Sequence, residues 1–190
     1  MVKHYRRRSG SDRQLFLLIL AGFVLVSYHL CLGQEDVFLQ MRVLKYREPL
    51  PARNFETVDM EGNSLYFNEF RGKVVLLNFW ATWCGPCKKE MVPLEVLYQR
   101  FRERGFVVLG VSLDQGGVQV VKSFVEKRGL TFPVVIDTSG KAKSIYHVTS
   151  LPTTFLIDQD GRIIGKSLGP RDWASEAAFA LVESLLASGH

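Results

Sequence analysis

The longest uncharged apolar run of the chain is Leu15 to Leu32, LFLLILAGFVLVSYHLCL, and it follows a basic cluster directly. Beyond it the pattern changes. Residues 34 to 53 mix Glu35, Asp36, Arg42, Lys45, Arg47 and Glu48 with scattered apolar positions and end in Pro49 and Pro51, a pattern that predicts an irregular stalk or linker. From Phe55 onward, apolar runs alternate with turn signals. Phe55–Val58 and Ser64–Phe67 read as short strands around a turn at 59–63 that contains Gly62, a hairpin. Val74–Trp80 is almost continuously apolar, as expected of a central strand covered on both faces. A helix is predicted from Cys84 to Arg104, with Met91, Leu94, Leu97, Tyr98 and Phe101 on one face and a kink near Lys89 caused by Pro93.

The alternation continues to the C-terminus. Phe106–Leu113 is a second buried strand, Val118–Arg128 a helix closed by Gly129, Pro133–Ile136 a strand and Gly140–His147 a short helix. Thr153–Ile157 and Arg162–Leu168 form strands around a turn at 158–161, and Trp173–Ala187 is a closing helix. Strands interleaved with helices and followed by a final hairpin and helix define a three-layer α/β domain over 54–190, with a mixed central sheet flanked by helices and an N-terminal β-hairpin extension. No internal repeat and no low-complexity segment interrupts it.

The N-terminal run decides where that domain is expected. Eighteen residues at about 1.5 Å each span roughly 27 Å, close to the hydrocarbon thickness of a bilayer. Residues 1–14 are expected to be a basic cytoplasmic flank and 15–33 a single transmembrane signal anchor, which places the chain after Gln34 on the far side. A cleaved signal peptide is the rival, but Tyr28, His29, Leu30 and Cys31 offer no small-residue cleavage site. The same residues argue against acylation of Cys31, and Ser9, Gly10 and Ser11 after the arginines argue against twin-arginine export. His29 reads as an interfacial side chain and not as a proton relay.

Composition narrows the classes further. The 190 residues are 47% apolar and 23% charged, ordinary for a folded protein and enough, without the N-terminal segment, for one domain. Of the net charge of +5, residues 1–13 hold +4, from Lys3, Arg6, Arg7, Arg8 and Arg13 against Asp12. The body is therefore nearly neutral, which removes the electrostatic argument for nucleic-acid binding. Three cysteines are too few for a disulfide scaffold or a four-thiolate zinc site.

Two of those cysteines carry the chemistry. Trp80-Ala-Thr-Trp-Cys84-Gly85-Pro86-Cys87-Lys-Lys-Glu90 lies where a buried strand turns into a helix. Exchange requires thiolate, and a helix N-terminus lowers a thiol's pKa. Cys84 stands at the cap, Pro86 sits in the first turn where its missing amide costs nothing, and Lys88 and Lys89 add positive potential. Cys84 can thus attack a disulfide, and Cys87 can resolve the mixed intermediate. The loop between them is very short, so a bond across it stays readily reducible. A structural bridge would join distant segments, and a zinc site would need two further ligands.

These stretches resemble the thioredoxin superfamily, and specifically the membrane-anchored, extracytoplasmic TlpA/ResA-type thiol-disulfide oxidoreductases. Residues 72–90, Phe132–Asp137 and Leu151–Ile157 carry the resemblance, which extends over about residues 50–187. It implies a thioredoxin-like fold, a redox-active Cys84–Cys87 disulfide, and a cis-Pro152 facing the pair. Trp83, Gly85, Pro86, Glu90 and Pro152 are the supporting residues. No cofactor and no metal are expected. The expected partners are disulfides of exported proteins, such as apocytochrome c or copper-centre cysteines, and a membrane thiol electron donor of the CcdA/DsbD kind. Two departures matter. Asn78 stands where cytoplasmic thioredoxins carry a buried, titrating aspartate, and Gly85 stands where relatives often carry a glutamate. Glu90, one turn past Cys87, is the candidate for tuning it, or else a solvated glutamate paired with a lysine. Trp80 is expected in the core and Trp83 at the rim. Trp173 reads as structural and His147 as a solvated or capping residue.

Two rival functions compete with reduction. A copper chaperone would use Cys84, Cys87 and His147, but no methionine cluster lies nearby. A peroxiredoxin shares the fold but wants proline and threonine where Leu77 and Ala81 stand. Gly-Pro between the cysteines leans toward the reducing end, near about -270 mV.

Overall fold

The computed structural model describes residues 36–188. Eight strands form one sheet: β1 (Leu44–Pro51), β2 (Glu56–Asp59), β3 (Ser64–Tyr66), β4 (Val74–Trp80), β5 (Phe106–Ser112), β6 (Val134–Ile136), β7 (Thr153–Ile157) and β8 (Arg162–Leu168). Five α-helices accompany them: α1 (Val37–Gln40), α2 (Gly85–Phe101), α3 (Val118–Arg128), α4 (Lys141–Ile145) and α5 (Glu176–Ala187). Across the sheet the order is β1-β8-β7-β4-β5-β6-β2-β3. β5 runs parallel to both β4 and β6, and the remaining pairs are antiparallel. The expected mixed sheet, hairpin extension and closing hairpin are all present.

β4 is buried along its whole length, and its alternation sorts the domain into two cores. Val74, Leu76 and Trp80 face α2, α3 and α5 together with Leu94, Val121 and Leu181. Val75, Leu77 and Phe79 face the other way, against Phe55, Phe67 and Tyr146. Strand parity puts Asn78 on the first side, among apolar neighbours and under α2. Gly110 of β5 is small for a reason of space: a Cβ there would come within 3.1 Å of both Phe132 and the Trp80 indole nitrogen.

The expected stalk at 34–53 is a correction. Val37 begins the compact unit, and Phe38, Met41 and Val43 are buried in the first core. β1 then pairs antiparallel with β8 at the sheet edge, with a register shift between Lys45 and Leu50. Its side chains are almost all exposed, with Tyr46 alone half-buried against the second core, so backbone pairing does most to recruit it, and an edge strand with an irregularity tolerates Pro49 and Pro51. α2 also differs in detail. It ends at Phe101 and tightens into a 3-10 turn over Arg102–Arg104, and it runs on past Pro93. The expected transmembrane segment lies outside the described residues. Among the described residues, no helix is long and apolar enough to cross a membrane.

Candidate active site

The two cysteines sit where β4 ends and α2 begins. Cys84 is the cap residue of α2, with extended backbone geometry, and its Sγ accepts the backbone N–H of Cys87 at 3.2 Å. Pro86 lies in the first turn, where no intrahelical donor is needed. A disulfide joins Cys84 to Cys87. Cys84 retains 6% exposure and Cys87 none, so an incoming disulfide can meet only the first sulfur. The helix N-terminus and its free backbone N–H groups then stabilise that sulfur as thiolate.

A buried carboxylate anchors the loop that leads to the pair. Asp114 accepts Thr82 N–H at 2.8 Å, Thr82 Oγ1 at 2.6 Å and Ser112 Oγ at 2.8 Å. Thr82 is two residues ahead of Cys84, so this cluster sets where the cap begins. Trp83, next along the chain, is 67% exposed, at the rim as expected, whereas Trp80 is fully buried.

Pro152 follows a cis peptide bond, in agreement with what the resemblance implies. The Leu151 before it lines, with Trp83, Cys84 and Pro86, a groove of about 630 Å³ that continues to Lys143 and Val148. Cys84 thus opens onto a mostly apolar trough bounded by the 148–151 loop. His147 is exposed, has a left-handed backbone with φ of 48°, and is not among the groove's lining residues.

Glu90 is fully buried, so the reading of it as a solvated helix glutamate is set aside. Its Oε1 accepts Asn78 Nδ2–H at 2.8 Å, and its Oε2 accepts the Arg171 backbone N–H at 3.1 Å and the Trp173 indole N–H at 3.2 Å. Asn78 donates also to Thr154 Oγ1 at 2.9 Å, while its Oδ1 has no hydrogen-bond partner. Loss of water is the largest influence on Glu90 and pushes its pKa up to about 7, against the opposing pull of the three donors and the Arg171 charge. A carboxyl that changes protonation near neutrality therefore lies one helical turn from Cys87.

Trp173 was expected to be structural and to sit in the last helix. It lies instead in the loop before α5, whose N-cap is Ser175, and it is one of the Glu90 donors. Arg171, Thr154 and Asp114 were not singled out from the sequence either. Their partners are brought together only by the tertiary fold. Glu90 itself carried a local signal, since Cys87, Glu90, Met91, Leu94 and Leu97 form one buried stripe of α2.

A cysteine pair capping a helix after a buried strand, beside a cis-proline and on a mixed sheet, defines a thioredoxin-fold dithiol protein. The sequence profile of the AhpC/TSA family matches residues 50–166. The chain belongs to that family, and within it to the ResA thiol-disulfide oxidoreductases. It is 40% identical to the thiol-disulfide oxidoreductase ResA of Bacillus cereus over 83% of this chain and 86% of that one. A ResA of Geobacillus thermodenitrificans is 43% identical over 59% of this chain and 64% of its own. Among solved structures, a putative thiol:disulfide interchange protein DsbE from Chlorobium tepidum has a TM-score of 0.67 at 29% identity, covering 73% of this chain and 97% of that chain. StoA from Bacillus subtilis has a TM-score of 0.58 at 31% identity, covering 71% and 98%.

Proposed function

We propose that this thiol-disulfide oxidoreductase acts as a reductase of disulfides in exported proteins, with Cys84 as the attacking and Cys87 as the resolving thiol. The observation that carries the assignment of roles is the contrast in access at the helix cap: Cys84 opens onto the groove and Cys87 is sealed beneath it. The Cys84 thiolate attacks one sulfur of the substrate disulfide, a mixed disulfide forms, and the departing substrate sulfur takes up a proton. Cys87 then loses its proton and attacks Cys84, which releases the second substrate thiol. Two electrons pass from the dithiol to the substrate, and the Cys84–Cys87 disulfide is left.

Glu90 is the group placed to take the Cys87 proton, because it lies on the same face of α2 one turn on and changes charge near pH 7. A membrane dithiol carrier of the CcdA/DsbD kind would return the disulfide to the dithiol. The 15–33 segment would hold the domain on the outer face of the cytoplasmic membrane, with cysteines of apocytochrome c or of copper centres as substrates. The name of the ResA relatives supports the exchange chemistry, and the groove supports a polypeptide substrate. The copper-chaperone alternative calls for His147 beside the two cysteines, and His147 does not line the groove onto which Cys84 opens. Leu77 and Ala81, at the positions where a peroxidase would need proline and threonine, argue against peroxide chemistry within the AhpC/TSA family.

Trapping tests this reading. Cys87→Ala, expressed in the full chain and resolved by non-reducing electrophoresis and mass spectrometry, is expected to accumulate mixed disulfides between Cys84 and cysteines of exported proteins. Absence of any adduct, with peroxide turnover retained, would contradict it.

A further inference from the structure

The loop between β8 and α5 reaches three places at once. Gly169 N–H donates to the carbonyl of Pro152 at 2.9 Å, Arg171 N–H and the Trp173 indole N–H both end on Glu90 Oε2, and the Arg171 guanidinium points the other way. That guanidinium donates from Nε to Met41 O at 2.8 Å and from Nη2 to Arg42 O at 3.0 Å. It also folds back on its own loop, from Nη1 to Pro170 O at 2.8 Å and Gly169 O at 3.3 Å. Met41 and Arg42 follow α1, in the segment through which the chain enters the domain.

Each part of this arrangement has a physical reason. The last carbonyls of a helical turn lack intrahelical donors, and a guanidinium offers several in fixed geometry. Arg42 takes a left-handed conformation with φ of 50°, uncommon for a residue with a side chain. Met41 and Val43 are buried, so the entry segment is a fixed abutment for the clamp. The loop itself contributes no regular secondary structure between Leu168 and Glu176, and Arg171 is the residue that ties it at both ends.

We propose that Arg171 is a positioning residue for the exchange reaction: by clamping the carbonyls of Met41 and Arg42 it fixes the 169–173 loop, and so holds the two donors that the loop presents to Glu90. The entry segment of the domain is thereby coupled to the carboxylate beneath Cys87. This inference rests on the reading of Glu90 as the group that serves Cys87. Facing Glu90 are the neutral Asn78 from β4 and the neutral Trp173 from the loop, with Cys87 on its own helix. Arg171 is the charged group whose field acts on it, and that field favours the ionised form. Releasing the clamp weakens both donors and raises the pH at which Glu90 takes up its proton.

The test uses the oxidised full chain in detergent micelles, with carboxyl-labelled glutamate and the Glu90 resonance assigned by its loss in Glu90→Gln. Arg171→Ala is expected to move the Glu90 titration midpoint up by about one pH unit, the equivalent of one weakened hydrogen bond to a charged acceptor. Arg171→Lys keeps the charge but not the fork, and is expected to move it part of the way. In the reduced chain, the titration of Cys87, followed by the chemical shift of its labelled Cβ, should shift with Arg171→Ala in the wild-type background and not in the Glu90→Gln background. An unmoved Glu90 midpoint in both Arg171 variants, with only the melting temperature lowered, would overturn the proposal, as would an equal shift of the Cys87 titration in the Glu90→Gln background. Because the carboxyl titration needs no turnover, a chain that fails to exchange disulfides would sink the functional reading while leaving the positioning result readable.

Discussion

Replacing Glu90 by glutamine probes the centre of the site, because it removes a buried charge while keeping the shape of the side chain. Burial raises the Glu90 pKa from 4.5 to about 7 in the folded chain. Between those values the folded chain holds a proton that the unfolded chain has released. The resulting stability is complete below pH 4.5 and is lost as pH rises through 7. At about 1.4 kcal/mol per pH unit, the raise corresponds to roughly 3 kcal/mol. Glutamine cannot ionise. Its carbonyl can still accept from Arg171 and Trp173, and its amide can donate to Asn78 Oδ1, which lacks a partner in the wild type, once that side chain flips. Urea denaturation of the oxidised forms at intervals from pH 4.5 to 8.5 should therefore show Glu90→Gln gaining on the wild type by about 3 kcal/mol across that range. A difference between the two chains that stays constant with pH would refute the reasoning.

Two further outcomes follow from the packing. Asp114→Ala strands the donors of Thr82 and Ser112, two of them on the residue that leads into the cap. It should cost about 3 kcal/mol in urea denaturation and slow reduction of a model disulfide. Phe38→Ala, within the segment that reads as a stalk from sequence, should cost about 3 kcal/mol because Phe38 belongs to the core. An unchanged midpoint would return residues 37–43 to the linker.

Much of the fold could be read from local pattern, and the exceptions have physical causes. Val74–Trp80 and Phe106–Ser112 declare themselves as buried strands because both faces are covered, and Gly129 marks the end of α3 with its left-handed backbone, φ 62°. β1 does not, because an edge strand held by backbone bonds needs no apolar period, and its two prolines read as breakers. The cysteine pair was legible from spacing and placement alone. The shell around Glu90 was not: Asn78, Arg171 and Trp173 stand 12, 81 and 83 residues away, and nothing local to any of them announces a shared carboxylate. Trp173 reads as structural from sequence because the pattern places it in the last helix, and its N–H finds a use only where the loop before α5 meets α2.

The direction of electron flow is the central claim, and the midpoint potential of the Cys84/Cys87 couple tests it most directly. Equilibrating the protein against glutathione and dithiothreitol buffers, with the two redox forms separated after thiol alkylation, should place the couple below about -220 mV, on the reducing side. A value near about -120 mV would mark a dithiol that prefers to give up its disulfide to others, and would contradict a reductase.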